Sequence, residues 1–322
     1  MAEVHRLRVD AVIEETPDAR SFVLSGVDFA VRPGQFLTVR AGDVARCYSL
    51  SSAPGEPLKI TVKRTPDGYG SHWMCSALAA GMELDVLAPA GVFTPSSLDG
   101  SLLAFAAGSG ITPVMSIIRA VLTSGSGRVF LVYANRDEAS VIFARELSDL
   151  ARSYPDRLTV VHWLESVQGL PSVAGLRAFV RDCDEAFVCG PGPFMEAARK
   201  ALHDVSVVHV EKFVSLSSDP FSTVVPVIDD RPDAVVEVEL DGEQHRFPWP
   251  ARTKLLDLLL EKGLDAPYSC REGACSACAC RLVEGEVKML NNDVLDSEDI
   301  AEGIVLACQS VPVTDTVKIT YE

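Results

Sequence analysis

Four cysteines limit what this chain can fold into more sharply than anything else in it. Cys270, Cys275 and Cys278 stand in the order C-x4-C-x2-C, and Cys308 follows thirty positions later. This is the spacing of a 2Fe–2S site, with three thiolates on one loop and a fourth arriving from a distant segment. Gly273, Ala274, Ser276 and Ala277 are small, so backbone amides can approach the sulfides. Zinc is the alternative reading, but structural zinc sites usually pair two C-x2-C units, and only one is present. Cys280 would point inward along a strand over 279–282 as a core thiol.

The nine cysteines are an odd number, with four crowded into eleven residues. That pattern argues against a secreted disulfide framework and for a reducing compartment, the cytoplasm. With 29 basic and 45 acidic residues the formal charge is −16. A chain so acidic repels nucleic acid and anionic membranes, so neither is an expected partner. No charge occurs between Asp99 and Arg119, close to a membrane-spanning length. Gly108, Ser109, Gly110, Thr112 and Pro113 interrupt that stretch, which therefore reads as strand, turn and helix.

Pattern divides the 322 residues into blocks. Residues 1–98 carry short β-branched runs punctuated by Gly and Pro, which predicts an antiparallel β-barrel or sandwich with one short helix over 70–80. Residues 99–213 alternate apolar strand runs with helical stretches, which predicts an α/β doubly wound parallel sheet. Residues 214–233 have the Ser, Asp and Pro content of a linker. Residues 234–322 open with a hairpin around Asp241-Gly242, continue into a helix over 254–262, and hold 17 acidic against 8 basic residues.

Two strings add to the cysteines. Gly108-Ser109-Gly110-Ile111-Thr112-Pro113 follows a strand and opens a helix, with Thr112 suited to the N-cap and Pro113 to the first helical position. Such a turn can admit a pyrophosphate or be plain architecture. Cys189-Gly190-Pro191 again stands between strand and helix, where ligands bind in sheets of this kind. Earlier, Arg46-Cys47-Tyr48-Ser49 offers a cation, an aromatic face and a hydroxyl, and Gly68-Tyr69-Gly70-Ser71 precedes the predicted helix.

Together these strings resemble the ferredoxin–NADP reductase superfamily, and residues 234–322 resemble a plant-type ferredoxin of β-grasp (α+β) fold. In this order they resemble the single-chain reductases of multicomponent oxygenases, a group that includes the phthalate dioxygenase, 3-ketosteroid 9α-hydroxylase and phenylacetyl-CoA epoxidase reductases. The resemblance implies a multidomain flavoprotein. NAD(P)H gives a hydride to the flavin, and electrons pass singly through the cluster to a terminal oxygenase of Rieske type. A diiron hydroxylase, an epoxidase or a cytochrome is the alternative acceptor, and a non-catalytic zinc module is the alternative of another class.

The resemblance also implies roles. Arg46 contacts the flavin phosphate, Tyr48 lines the isoalloxazine and Ser49 lies near its N5. Gly70 and Ser71 cradle a diphosphate, favouring FAD over FMN. Gly108, Gly110, Thr112, Pro113, Cys189 and Gly190 take the dinucleotide, with Thr112 and Cys189 beside the nicotinamide. Phe213 covers the flavin or is an ordinary buried aromatic. Asp137 suits a ribose 2′-hydroxyl and Arg136 a 2′-phosphate, and NADH is the expected donor over NADPH. Cys270, Cys275, Cys278 and Cys308 hold the irons.

Overall fold

The computed structural model describes residues 4–216, 219–221 and 234–321. Most of the expected linker therefore lies outside the described residues. Two compact units emerge, one over Val4–Phe213 and one over the described residues from Val214 onward.

The first unit begins with six antiparallel strands and a helix: β1 (His5–Thr16), β2 (Ala19–Ser25), β3 (Phe36–Ala41), β4 (Val44–Ser49), β5 (Leu58–Lys63), α1 (Tyr69–Ala77) and β6 (Glu83–Val86). The order is β4-β3-β6-β1-β2-β5. An antiparallel bridge between Leu50 and Ile60 joins the two ends, so the sheet closes on itself. Inward residues such as Leu7, Val9, Phe22, Leu37 and Ile60 fill it, and Met74 and Cys75 of α1 plug one end.

A five-stranded parallel sheet follows. Its elements are β7 (Ser101–Ala107), α2 (Ile111–Ser124), β8 (Arg128–Asn135), α3 (Ala144–Ser153), β9 (Leu158–Leu164), the short α4 (Glu165–Gln168) and α5 (Val173–Arg177), β10 (Glu185–Cys189), α6 (Gly192–Ala201) and β11 (Val208–Glu211). The order β11-β10-β7-β8-β9 reverses direction between β7 and β10, which places a crevice at their carboxyl ends. The uncharged stretch becomes β7, the turn after it and the buried first half of α2. No helix among the described residues is long and apolar enough to cross a membrane.

The helices of this sheet dock on the barrel through named contacts. Ser116 of α2 donates to the Ser52 carbonyl at 2.6 Å, and Arg119 pairs with Glu56 at 2.6 Å and with Glu146 of α3. Lys59 reaches Glu146 at 3.1 Å. These charges are only partly exposed, so the network holds better than isolated surface pairs would.

The second unit is a mixed sheet, ordered β13-β12-β18-β14-β16. It contains β12 (Ala234–Leu240), β13 (Glu243–Trp249), α7 (Leu255–Glu261), β14 (Ala279–Glu284), β15 (Val287–Met289), α8 (Ser297–Ala301), β16 (Ile304–Leu306), β17 (Ser310–Pro312) and β18 (Thr316–Thr320). Asp241 and Gly242 both adopt positive φ (53° and 76°), the turn that a two-residue hairpin demands. Leu255, Leu256, Leu258 and Leu259 lay α7 against Trp249, Val236 and Val238. Cys280 is buried in this core, with its thiol on the Val305 carbonyl.

Candidate functional site

The cysteine loop connects α7 to β14. Arg271 (φ 61°), Gly273 (82°) and Ser276 (51°) take the left-handed conformation, so successive amides turn to the same side. The Cys270 amide donates to Cys275 Sγ at 3.4 Å, that of Ala274 to Cys270 Sγ at 3.3 Å, and that of Cys308 to Cys278 Sγ at 3.4 Å. Cys270 lies within thiol–thiol reach of Cys275 and Cys308, and Cys308 of Cys278. Among the described residues no three His, Cys, Asp or Glu side chains form a group suited to a single metal ion. Four converging sulfurs with amides aimed at them are the donor set a 2Fe–2S cluster requires.

Two side chains brace this loop. The Arg271 guanidinium pairs with Asp257 of α7 at 2.6 Å and lies over the Tyr268 ring. Buried Gln309 donates its amide to the Arg271 carbonyl at 2.8 Å and to Cys308 Sγ at 3.7 Å. A left-handed non-glycine residue costs on the order of 1–2 kcal/mol, and these contacts hold Arg271 there. Spacing alone carries no sign of Gln309.

In the first unit the two glycine turns meet. A Cβ on Gly110 would lie 2.2 Å from the Cys189 carbonyl oxygen, and one on Gly190 would lie 2.9 Å from Ala107 Cβ. Only glycine permits that approach. Thr112 is not the N-cap that its sequence position suggests, nor Pro113 the first helical residue. Gly108, at φ 53°, turns the chain at once after β7, and a 3-10 turn over Gly108–Gly110 starts the helix early. Gly110 therefore occupies the cap position of α2, and the Thr112 hydroxyl donates back to the Ser109 carbonyl at 3.0 Å. Thr112 and Pro113 are both buried.

On the barrel side β4 presents Arg46, Tyr48 and Ser49. The Arg46 stem packs on Gly70, where a Cβ would lie 2.9 Å from Arg46 Cγ. The Ser71 hydroxyl donates to the Gly68 carbonyl at 2.9 Å and accepts from the Thr65 amide at 3.1 Å, fixing the turn into α1. The Tyr48 hydroxyl is buried with no hydrogen-bond partner. A buried orphan of this kind costs roughly 1–3 kcal/mol, and a polar ring such as a flavin beside it would satisfy it.

The barrel and the parallel sheet meet at β11. Ser49 Oγ donates to Glu211 Oε2 at 3.4 Å, and Glu211 is the register partner of Cys189. Burial pushes the Glu211 carboxyl up to about 8, against the pull of the Ser49 hydrogen bond. Burial likewise raises the Cys189 thiol well above its usual range, with the Glu211 charge adding to it. Sequence reasoning singled out Phe213 in this segment and passed over Glu211, although a carboxylate ending the last strand was a signal. Phe213 is 50% exposed, so it is not an ordinary buried aromatic. Asp137 stands apart from this convergence. It caps a 3-10 turn by accepting from the Ser140 amide at 2.9 Å.

Residues 238–313 match the 2Fe-2S iron-sulfur cluster binding domain family, and residues 105–200 match the oxidoreductase NAD-binding domain family. The chain is 56% identical to the ferredoxin reductase component of 3-ketosteroid-9-alpha-monooxygenase from Rhodococcus rhodochrous, covering 98% of this chain and 96% of that one. It belongs to the flavin and 2Fe–2S reductase components of oxygenases. Phthalate dioxygenase reductase matches this oxygenase reductase in fold, with a TM-score of 0.62, 22% identity and 98% of each chain covered. Full-length CYP116B46 from Tepidiphilus thermophilus gives a TM-score of 0.72 at 26% identity, covering 98% of the reductase. The reductase spans only 42% of that longer chain. The oxygenase reductase thus has a flavin-binding antiparallel sheet, an NAD-binding parallel sheet and a ferredoxin domain, and acts as an NAD(P)H-dependent oxidoreductase with an oxygenase component as partner.

Proposed function

We propose that this reductase oxidises NADH, carries FAD, and delivers single electrons to the Rieske-type terminal oxygenase of a system that hydroxylates 3-ketosteroids at C9. The work is divided among residues 1–98 for flavin, 99–213 for dinucleotide and 234–322 for the cluster, joined by a linker over 214–233. The substrate class rests on the Rhodococcus relative. The relay reading rests on one observation, that Ser49, Glu211 and Cys189 converge where the two glycine turns touch.

Bound flavin supplies the conversion between two-electron hydride donors and one-electron acceptors. The chain positions and insulates it. Arg46, Gly70, Ser71 and the start of α1 hold the flavin phosphates, and the longer FAD tail suits that Gly-x-Gly-Ser string better than FMN does. Tyr48 lines the ring with its otherwise orphaned hydroxyl. Ser49 is fixed by Glu211, whose carboxyl keeps its proton at neutral pH and so adds no negative charge beside the arriving dinucleotide. Gly108, Gly110, Pro113 and Gly190 let the dinucleotide approach the backbone, Thr112 and Cys189 flank its nicotinamide, and half-exposed Phe213 covers the ring. Cys270, Cys275, Cys278 and Cys308 hold the two irons.

The test combines the purified holoprotein, NADH, candidate oxygenase components and a 3-ketosteroid, with the released flavin identified by mass. Hydroxylated steroid formed only when reductase and oxygenase are both present supports the assignment. Release of FMN removes the FAD part. Failure with every 3-ketosteroid oxygenase alongside turnover with another oxygenase removes the substrate class.

A further inference from the structure

We propose that Asp18, in the turn between β1 and β2, biases the dinucleotide site against NADPH by holding the cations that would otherwise meet a 2′-phosphate. This rests on the reading of the crevice as an NAD(P)H site. In a doubly wound sheet the adenosine ribose lies past the end of the second strand, where an acid suits the 2′-hydroxyl and an arginine the 2′-phosphate. That position here is Asn135-Arg136-Asp137, which offers both preferences at once. Asp137 already spends one carboxylate oxygen on the Ser140 amide. Arg136, 65% exposed, is the group an incoming phosphate would meet first.

Arg136 is not free. Its Nη2 donates to Asp18 Oδ2 at 3.2 Å, and Lys63 Nζ stands 3.8 Å from the same oxygen. Lys63 Nζ also lies 3.8 Å from where a Cβ on Gly108 would sit, so it flanks the glycine turn. The Thr16 hydroxyl donates to Asp18 Oδ1 at 2.7 Å and aims the second oxygen at the two cations. A carboxylate from the flavin-binding barrel thus neutralises the basic edge of the nucleotide-binding sheet. A 2′-phosphate must either displace Asp18 from Arg136 or settle next to its charge. Discrimination of this kind comes from a repulsive element as much as from an attractive one. NADH, with a bare 2′-hydroxyl, meets no such conflict.

Because Arg136 is largely in water, the effect is modest, about fivefold, the scale of an exposed ion pair. In the full-length holoprotein, Asp18→Asn is expected to raise kcat/KM for NADPH relative to NADH by about fivefold, through KM rather than kcat. The same variant should bind 2′,5′-ADP, measured as a competitive inhibitor, about fivefold more tightly, with 5′-AMP nearly unmoved. Adding Arg136→Ala to Asp18→Asn should erase most of both gains, leaving Lys63 as the remaining cation, and Arg136→Ala alone should lower the NADPH:NADH ratio. Should Asp18→Asn fail to fold, that single Arg136 variant still decides. The proposal is overturned by an unchanged ratio and unchanged 2′,5′-ADP inhibition in Asp18→Asn, or by a ratio that holds or rises in Arg136→Ala. Wild-type protein that oxidises neither dinucleotide with a chemical acceptor would instead bring down the underlying reading of the crevice.

Discussion

The cluster loop and the flavin–dinucleotide crevice are built on opposite plans. Three of four sulfurs sit within nine residues, and the loop's own amides supply hydrogen bonds to two of them. The crevice draws Arg46, Gly70, Gly110, Cys189 and Glu211 from segments far apart in the chain, and two sheets must fold and dock before it exists. A contiguous site is a local property of the sequence. A dispersed one is a property of the tertiary fold, so damage should spread differently from each.

The largest expected effect is that of Cys275→Ser. Losing one thiolate from a four-sulfur set should abolish electron delivery to a protein acceptor in steady-state assays. Reduction of ferricyanide by NADH through the flavin should survive, because that route uses only the Val4–Phe213 unit. Equal loss of both activities would erase the contrast between the two regions.

Gly110→Ala attacks the dispersed site at its tightest point. An added Cβ would lie 2.2 Å from the Cys189 carbonyl oxygen, so one of the two turns must move. Overpacking of this kind costs about 1–3 kcal/mol. Dinucleotide oxidation should fall sharply while the cluster's electron paramagnetic resonance spectrum stays as in the parent. A changed cluster spectrum would mean that the two units are not independent in the way their folds suggest.

How much was legible follows the same division. The cysteine spacing, the Asp241-Gly242 hairpin and the strand–helix alternation of residues 99–213 are written in short windows, where periodicity and turn chemistry act directly. The start of α2 was misread because Gly108 at positive φ begins a 3-10 turn that neither Thr112 nor Pro113 announces. The acidic run over 296–299 forms a capping box with no buried residue: Asp296 accepts from the Asp299 amide while Asp299 accepts from that of Asp296. Glu211 escaped notice because its significance lies in Ser49, 162 positions away.

Glu211 also gives the dispersed site a pH signature. Its native carboxyl is pushed up to about 8, whereas unfolding returns it to the ordinary range near 4.5. Between those values the native state keeps a proton that the unfolded chain releases, so stability falls as pH rises and levels off above about 8. Glu211→Gln should remove this slope and leave the variant more stable than the parent at pH 9, by on the order of 2 kcal/mol. Thermal melts from pH 5 to 9 measure it. A parallel slope in parent and variant would show that Glu211 is not the group responsible.

The smallest expected effect probes the contiguous site from one of its long-range supports. Gln309 reaches Cys308 Sγ at 3.7 Å while its other contact clamps the Arg271 carbonyl at 2.8 Å. Reduction adds negative charge to the sulfurs, so a donated N–H favours the reduced state, and its loss should lower the midpoint potential. Gln309→Leu keeps the bulk and removes the donor. A tenfold loss in the reduction equilibrium corresponds to about 59 mV for a one-electron couple, and a shift of that order or less is expected in a potentiometric titration. Gln309→Glu, which replaces the donor with a charge, should lower the potential further. Midpoints that stay level across both variants would confine control of the cluster to the loop's own amides. The site would then be local in its energetics as well as in its sequence.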